Sequence, residues 1–212
     1  MDLQTGRDGA PRGGADAYRR LAALFDDGAF TQLDAGMKSG VQETGVVTGF
    51  GYVGGNPAYA FSQDAAVDGG AMGTAQAAKI GKIYELAVKT GAPVVGFYDS
   101  IGARLAEGAG SLAAYGELIL LSNRLSGVVP QISVIAGPCG GSSAVLAALA
   151  DIVVMSEKGS LFLTPPSLLG GDAGSAADVA KNGAAHITAA DDAAAAEVAR
   201  RLIALLPAGG GA

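Results

Sequence analysis

Cysteine is nearly absent from this chain. Its 212 residues hold one, Cys139, which excludes an internal disulfide and any zinc site built on several cysteines. Histidine is as scarce: His186 stands alone, and a serine nucleophile would need that one imidazole aimed at it as a base. Its position near the last helix reads as structural. Charged residues make up only 16% and hydrophobic ones 50%, a balance that argues for a packed core and against disorder. Positive charge is the minority sign, with a formal net charge of −6. That disfavours general nucleic-acid binding but leaves room for a local basic pocket. No apolar run approaches the ~18 residues of a membrane span. Residues 1–15 also lack the apolar stretch of a signal peptide, so the expected compartment is the cytoplasm. No metal site is expected.

Glycine is what the chain has in abundance, at 34 residues. Together with the many alanines it suggests close backbone packing and sites made from backbone groups. Residues 1–15 and 207–212 read as disordered tails, leaving one domain over 16–206. Asp16 is placed to cap a helix from Ala17 to Phe25. Phe30 to Glu43 reads as a loop. Val46–Val53 and Pro57–Ser62 read as two strands around a Gly54-Gly55-Asn56 turn. A glycine turn, Asp68 to Gly73, precedes a helix from Thr74 to Lys89 that Thr90-Gly91 closes. Strand Val94–Tyr98, a loop Asp99–Gly108 and a helix capped by Ser111 and running to about Ser126 come next. The apolar positions of that helix, Leu112, Leu118, Ile119, Leu120, Leu121 and Leu125, lie on more than one face, as in a helix that is buried or covers a partner. A strand around Ile132–Ile135 follows, which Gly137-Pro138 should break. Later come a helix Ala144–Leu149, strands Ile152–Met155 and Leu161–Leu163, and a short helix Ser175–Lys181. An extended His186-Ile187 and a last helix Ala193–Leu206, capped by Asp191 or Asp192, complete the chain. Repeated strand, loop and helix make this an α/β domain, whose ligands bind beyond the carboxyl ends of the strands.

Val134 to Asp151 is the most informative stretch: strand, glycine turn, helix start. The first N–H groups of a helix have no partner inside it, and glycines let a ligand come close. The stretch therefore reads either as a seat for a negatively charged oxygen or as a tight packing corner. Two other loops share its character, Gly69–Gly73 and Ser100–Gly108. Backbone N–H groups from two of these loops would serve one oxygen if the loops converge; spacing alone leaves this open. Cys139 behind Pro138 reads as a packed thiol. Arg104 and Glu107 read either as a surface ion pair or as ligand contacts, and Asp99 as a loop cap.

Three blocks closely resemble the biotin-dependent acyl-CoA carboxyltransferases. They are Val129-Pro130-Gln131-Ile132-Ser133-Val134-Ile135-Ala136-Gly137-Pro138-Cys139, then Asp99-Ser100-Ile101-Gly102-Ala103-Arg104 with Glu107-Gly108, and Val46-Val47-Thr48-Gly49 through Phe61-Ser62-Gln63-Asp64 to Gly69-Gly70, with Lys79-Ile80 beyond. Their order fits the N-terminal half of that family from about Tyr18 to Leu206. The resemblance implies a crotonase-like (ClpP/crotonase) fold of repeated β-β-α units. It implies a coenzyme A thioester as substrate, and biotin carried by another subunit or domain. Its oxyanion site maps onto backbone N–H groups of Ala103, Gly141 and Ser142. Its substrate contacts map onto Gly70, Met72, Ile101, Gly102 and Gly140, with Lys79 and Arg104 toward the coenzyme A phosphates. Gly140-Gly141-Ser142-Ser143 departs from the family's Ala-Gly-Gly-Ala; Ser142 keeps the N–H but adds a side chain. Ile101 stands where glycine is usual, which alters acyl-chain access. The implied chemistry is carboxyl transfer at the acyl α-carbon through an enolate, whose oxygen the N–H groups stabilise.

The partners implied are a C-terminal-type carboxyltransferase subunit and a biotin carrier protein, within a homo- or hetero-oligomer. Met37-Lys38 lacks the flanking pattern of a biotinyl site. Two other functions compete. One is a stand-alone crotonase-like hydratase, isomerase or thioesterase, with Glu107 or Glu117 as its carboxylate. The other is a non-catalytic assembly subunit that binds acyl-CoA.

Overall fold

The computed structural model describes residues 15–40 and 42–206. The expected tails therefore lie outside the described residues, except for Ala15, which opens the first helix. In chain order the elements are α1 (Ala15–Leu24), β1 (Phe30–Leu33), β2 (Lys38–Ser39), β3 (Gln42–Glu43), β4 (Val46–Val53), β5 (Asn56–Gln63), α2 (Thr74–Thr90), β6 (Val94–Ser100), α3 (Ala109–Leu125), β7 (Gln131–Gly140), α4 (Ser142–Ala148), β8 (Ile152–Ser156), β9 (Ser160–Phe162), α5 (Pro166–Leu169), α6 (Ala176–Lys181), β10 (Ile187–Ala189) and α7 (Asp192–Leu205).

Among the described residues one sheet runs in the order β1-β4-β5-β6-β7-β8-β10, with β9 added beside the end of β7. β1, β4 and β5 pair antiparallel; from β5 onward every pair is parallel. The period-2 alternation of each strand sorts side chains onto two faces. On β5, Ala58 and Ala60 join Leu21 and Leu24 of α1 and Ala195, Ala199 and Ile203 of α7. Tyr59 and Phe61 join Ile80, Ile83 and Tyr84 of α2 and Leu118 and Leu125 of α3. Helices thus cover both faces, the arrangement a parallel sheet requires. No helix among the described residues is long and apolar enough to cross a membrane.

Several elements form where the sequence places them. Gly54 and Gly55 take φ of 58° and 77°, the positive values a two-residue hairpin turn needs. Their N–H groups both donate to the Asp26 carboxylate at 3.0 Å. These bonds, with the Arg200 hydrogen bond, hold the pKa of Asp26 down at about 2. Gly91 ends α2 at φ 71° and donates to Ala87 O, and Asp191 caps α7 by accepting from Ala194 N.

Three segments differ. Phe30–Glu43 is not a loop: β1 pairs along β4, and β2–β3 form a small hairpin. What admits β1 is on its partner strand. A Cβ on Gly49 would lie 2.6 Å from Phe30 Cδ2, and one on Gly51 2.6 Å from Phe25 Cδ1. β7 does not stop at Gly137-Pro138. It continues because Pro138, Cys139 and Gly140 pair with Ser160, Leu161 and Phe162 of β9. Ser111 is not the cap of α3, which starts at Ala109; its hydroxyl is buried and donates to Arg104 O at 2.6 Å.

Candidate active site

Three glycine loops meet at the carboxyl ends of β5, β6 and β7. Gly70 holds φ of 70°, and a Cβ there would lie 1.9 Å from Asp99 O. Only glycine therefore lets the Asp68–Gly70 turn press against the end of β6. Ile101 N donates to Gly69 O at 3.1 Å, Met72 N to Gly102 O at 2.8 Å, and Arg104 N to Met72 O at 2.8 Å. Met72 and Ala103 thus face each other in a short parallel bridge. In such a bridge the bonds run to the residues flanking Ala103, which leaves the Ala103 N–H outside that ladder. On the other side a Cβ on Gly102 would stand 3.3 Å from Gly140 O, so the third loop abuts the second. The Gly102 N–H is directed into its own loop, at 3.1 Å from Ser100 Oγ.

The third loop corrects one expectation. The Gly141 N–H donates to Phe162 O at 2.9 Å, extending the β7–β9 ladder by one residue, so it is not available to a substrate. Gly141, with φ 57° and ψ −125°, is instead the N-cap of α4, and its carbonyl accepts from Ala144 and Val145. Ser142 and Ser143 follow as the first helical residues. Their N–H groups have no intrahelical partner and take none among the described residues. The expected donor set of Ala103, Gly141 and Ser142 reduces to Ala103 and Ser142.

The floor under these loops is a buried polar network that the sequence did not announce. Arg20 of α1 donates to Asp99 at 2.8 Å, Asp192 at 2.7 Å and Gln63 O at 3.2 Å. Burial works to lower the Arg20 pKa, but the bonds to Asp192 and Asp99 outweigh it and raise it. Gln63 accepts from Asp99 N and donates to Gln76, which in turn donates to Thr44 O and Gly45 O. Asp99 is therefore half of a buried ion pair, not a loop cap. Gly137 makes room for it: a Cβ there would lie 2.1 Å from Asp99 Oδ1.

The remaining predicted residues separate into those at the loops and those away from them. Met72 is fully buried beneath them, whereas Ile101 is 63% exposed at their edge. Lys79 does not face an open phosphate site. It is 2% exposed and donates to Val46 O at 2.7 Å and Thr44 Oγ1 at 3.3 Å; burial brings its pKa down to about 8. Arg104 is also buried. It donates to Ser39 Oγ at 3.0 Å and lies 3.4 Å from Asp68 and 3.5 Å from Glu107, so its charge is met by carboxylates. Glu107 accepts from Thr74 N at 2.7 Å and Thr74 Oγ1 at 2.9 Å, and the Thr74 backbone bond lowers its pKa. Glu117 is exposed on α3. Cys139 is wholly buried, and burial pushes its pKa up to about 12, which keeps it a thiol. His186 accepts from Val153 N at 2.8 Å, the structural role expected of it.

The chain matches the carboxyl transferase domain family over residues 9–211. It is 40% identical over 216 residues to the methylmalonyl-CoA carboxyltransferase 12S subunit of Propionibacterium freudenreichii subsp. shermanii, an overlap covering 92% of this chain and 41% of that one. It superposes on the transcarboxylase 12S crystal structure with methylmalonyl-coenzyme A and methylmalonic acid bound, a hexamer, with a TM-score of 0.84 and 37% identity. That match covers 91% of this chain and 42% of the other. A Pseudomonas malonate decarboxylase heterodimer matches with a TM-score of 0.79 and 27% identity, over 91% of this chain and 87% of that one. The fold is crotonase-like, as the resemblance implied. The chain spans about two fifths of the length of the 12S relative.

Proposed function

The chain belongs to the carboxyl transferase domain family, and from that premise we propose that it is the acyl-CoA-binding part of a biotin-dependent carboxyltransferase or acyl-CoA decarboxylase. One observation carries the assignment. Ala103 and Ser142 sit on two touching loops, and each has an N–H that no local ladder or helix uses. A thioester oxygen between them receives both. As the bond between Cα and the carboxylate breaks or forms, negative charge moves onto that oxygen. The two donors then bind the enolate-like transition state more strongly than the ground state.

Decarboxylation leaves the electron pair of the broken C–C bond on Cα, so the enolate forms without a protein base. That suits this site. Glu107 is engaged by the N–H and hydroxyl of Thr74, and the Thr74 backbone bond lowers its basicity, while Glu117 points to solvent from α3, so neither is prepared as the base a hydratase or isomerase needs. The acyl group is delivered as a coenzyme A thioester, and biotin arrives on a carrier protein. A C-terminal-type subunit completes the site. Supporting the subunit reading, Leu112 and Leu120 of α3 are 61% and 53% exposed while Leu118 and Leu125 of the same helix are buried.

The test is reconstitution. The purified chain alone should give little or no carboxyl transfer or decarboxylation with malonyl- or methylmalonyl-CoA. Adding a C-terminal-type subunit and biotinylated carrier should restore it. Full turnover by the chain alone contradicts the subunit reading, and acyl-CoA binding without turnover in either setting favours the assembly-subunit alternative.

A further inference from the structure

We propose that Glu107 is a positioning residue: together with Arg104 it braces the Ser100–Gly108 loop against the start of α2 and so sets the Ala103 N–H. The inference rests on the donor role just given to Ala103 and adds the device that holds it.

The start of α2 has no cap of its own. Its N-cap is Gly73, which lacks a side chain to accept the orphan N–H groups of the first turn. Glu107, 33 residues further along the chain, supplies the acceptor: its Oε2 takes both the N–H and the hydroxyl of Thr74. An anion at a helix start is also favoured by the helix dipole. Gly73 is shaped for this contact, since a Cβ there would lie 1.9 Å from Glu107 Oε1. That same oxygen lies 3.5 Å from Arg104 Nη1.

Arg104 is the other half of the brace. It is 8% exposed, and its Nε and Nη2 are buried without a hydrogen-bond partner. Its charge therefore relies on the carboxylates of Asp68 and Glu107 beside it. Its backbone is held twice more, by Met72 O on its N–H and by the Ser111 hydroxyl on its carbonyl. Gly102 and Arg104, the two neighbours of Ala103, are thus both fixed to Met72, and the loop beyond them is tied to α2 through Glu107. The half-buried Glu107 carboxylate caps α2, and it fixes the loop as well.

Full-length Glu107→Ala and Glu107→Gln separate these roles, using hydrogen exchange and steady-state kinetics with the partner subunits present. In Glu107→Ala, amide exchange in peptides covering residues 70–74 and 100–105 should accelerate at least tenfold, with β5 peptides unchanged. kcat should fall at least tenfold while KM for the acyl-CoA stays within about twofold. Glu107→Gln retains an oxygen for Thr74 and should recover most of both losses. Thr74→Val, which removes one of the two donors, gives a graded form of the same result should the alanine variant not fold. Unchanged exchange at the loop overturns the brace, and so does faster exchange with unchanged kcat. Acceleration spread over the whole chain would make Glu107 an ordinary stabilising residue and overturn it equally. A wild-type protein that turns over no acyl-CoA with its partners contradicts the proposed function instead, and the exchange result still decides whether the brace exists.

Discussion

Lys79 is a buried ammonium with no carboxylate in ion-pair contact among the described residues, held by the Val46 carbonyl and the Thr44 hydroxyl. Burial lowers its pKa from 10.5 to about 8. The sign follows from linkage: between pH 8 and 10.5 the unfolded chain keeps a proton on this lysine that the folded chain has released, so this group's contribution to stability rises with pH across that window. Cys139, whose pKa is raised to about 12, works in the opposite direction, so the effect is read as a difference. Urea unfolding of wild type and Lys79→Met at pH 7.5 and pH 10 should show wild type gaining on the variant by a few kcal/mol at the higher pH, of the order that a ~2-unit shift carries. An equal gap at both pH values would contradict it. Gly137 is the second residue whose change is legible. A methyl group 2.1 Å from Asp99 Oδ1 must displace one side of the Arg20–Asp99 pair, and breaking such a pair costs about 3–5 kcal/mol. Gly137→Ala should lower the urea-unfolding free energy by at least ~2 kcal/mol; a loss under ~0.5 kcal/mol would show that the network yields without cost.

Elements whose signals are local were readable in the sequence. The 3.6-residue spacing of Ile80, Ile83 and Ala87 and the glycine at 91 delimit α2, and Gly54-Gly55 marks the hairpin turn. Elements made by a partner were not. β1 reads as loop because the room for its Phe30 side chain is created by Gly49 on β4, as Gly51 makes room for Phe25 just before it. The end of β7 reads as broken because its ladder is completed by β9, twenty-two residues on by register. That pairing also removed Gly141 from the candidate site, since Phe162 O takes its N–H. Ala103 and Ser142 are reached only through the resemblance to the carboxyltransferase family, since the glycine loops by themselves leave open whether their N–H groups meet. The Glu107–Thr74 cap left no trace in any local pattern. At this scale α3 offers a clean contrast. Leu118→Ala should cost about 2–5 kcal/mol because that side chain is 1% exposed. Leu120→Ser, on the open side, should change unfolding by less than ~0.5 kcal/mol. It should nonetheless weaken association measured by light scattering at micromolar concentration. Unaltered association would remove α3 from the interface.

At the scale of the whole molecule, the parallel sheet delivers three strand ends to one place, and glycines let the loops touch there without side chains between them. The covering helices hold the floor through the Arg20 network. We propose that this convergence presents the Ala103 and Ser142 N–H groups to one thioester oxygen. Ser142 tests it most directly, because it is the first residue of α4, the helix position where proline is best tolerated. Ser142→Pro deletes the N–H with little cost to the helix, and Ser142→Ala removes the hydroxyl but keeps the N–H. The measurement is kcat for acyl-CoA turnover in the reconstituted complex, with circular dichroism and thermal melting confirming the fold of each variant. Ser142→Pro should remain folded and lose at least ~100-fold in kcat, the loss typical of one oxyanion donor, while Ser142→Ala stays within about threefold of wild type. A folded Ser142→Pro protein that turns over at the wild-type rate would contradict the claim and leave this loop a packing corner.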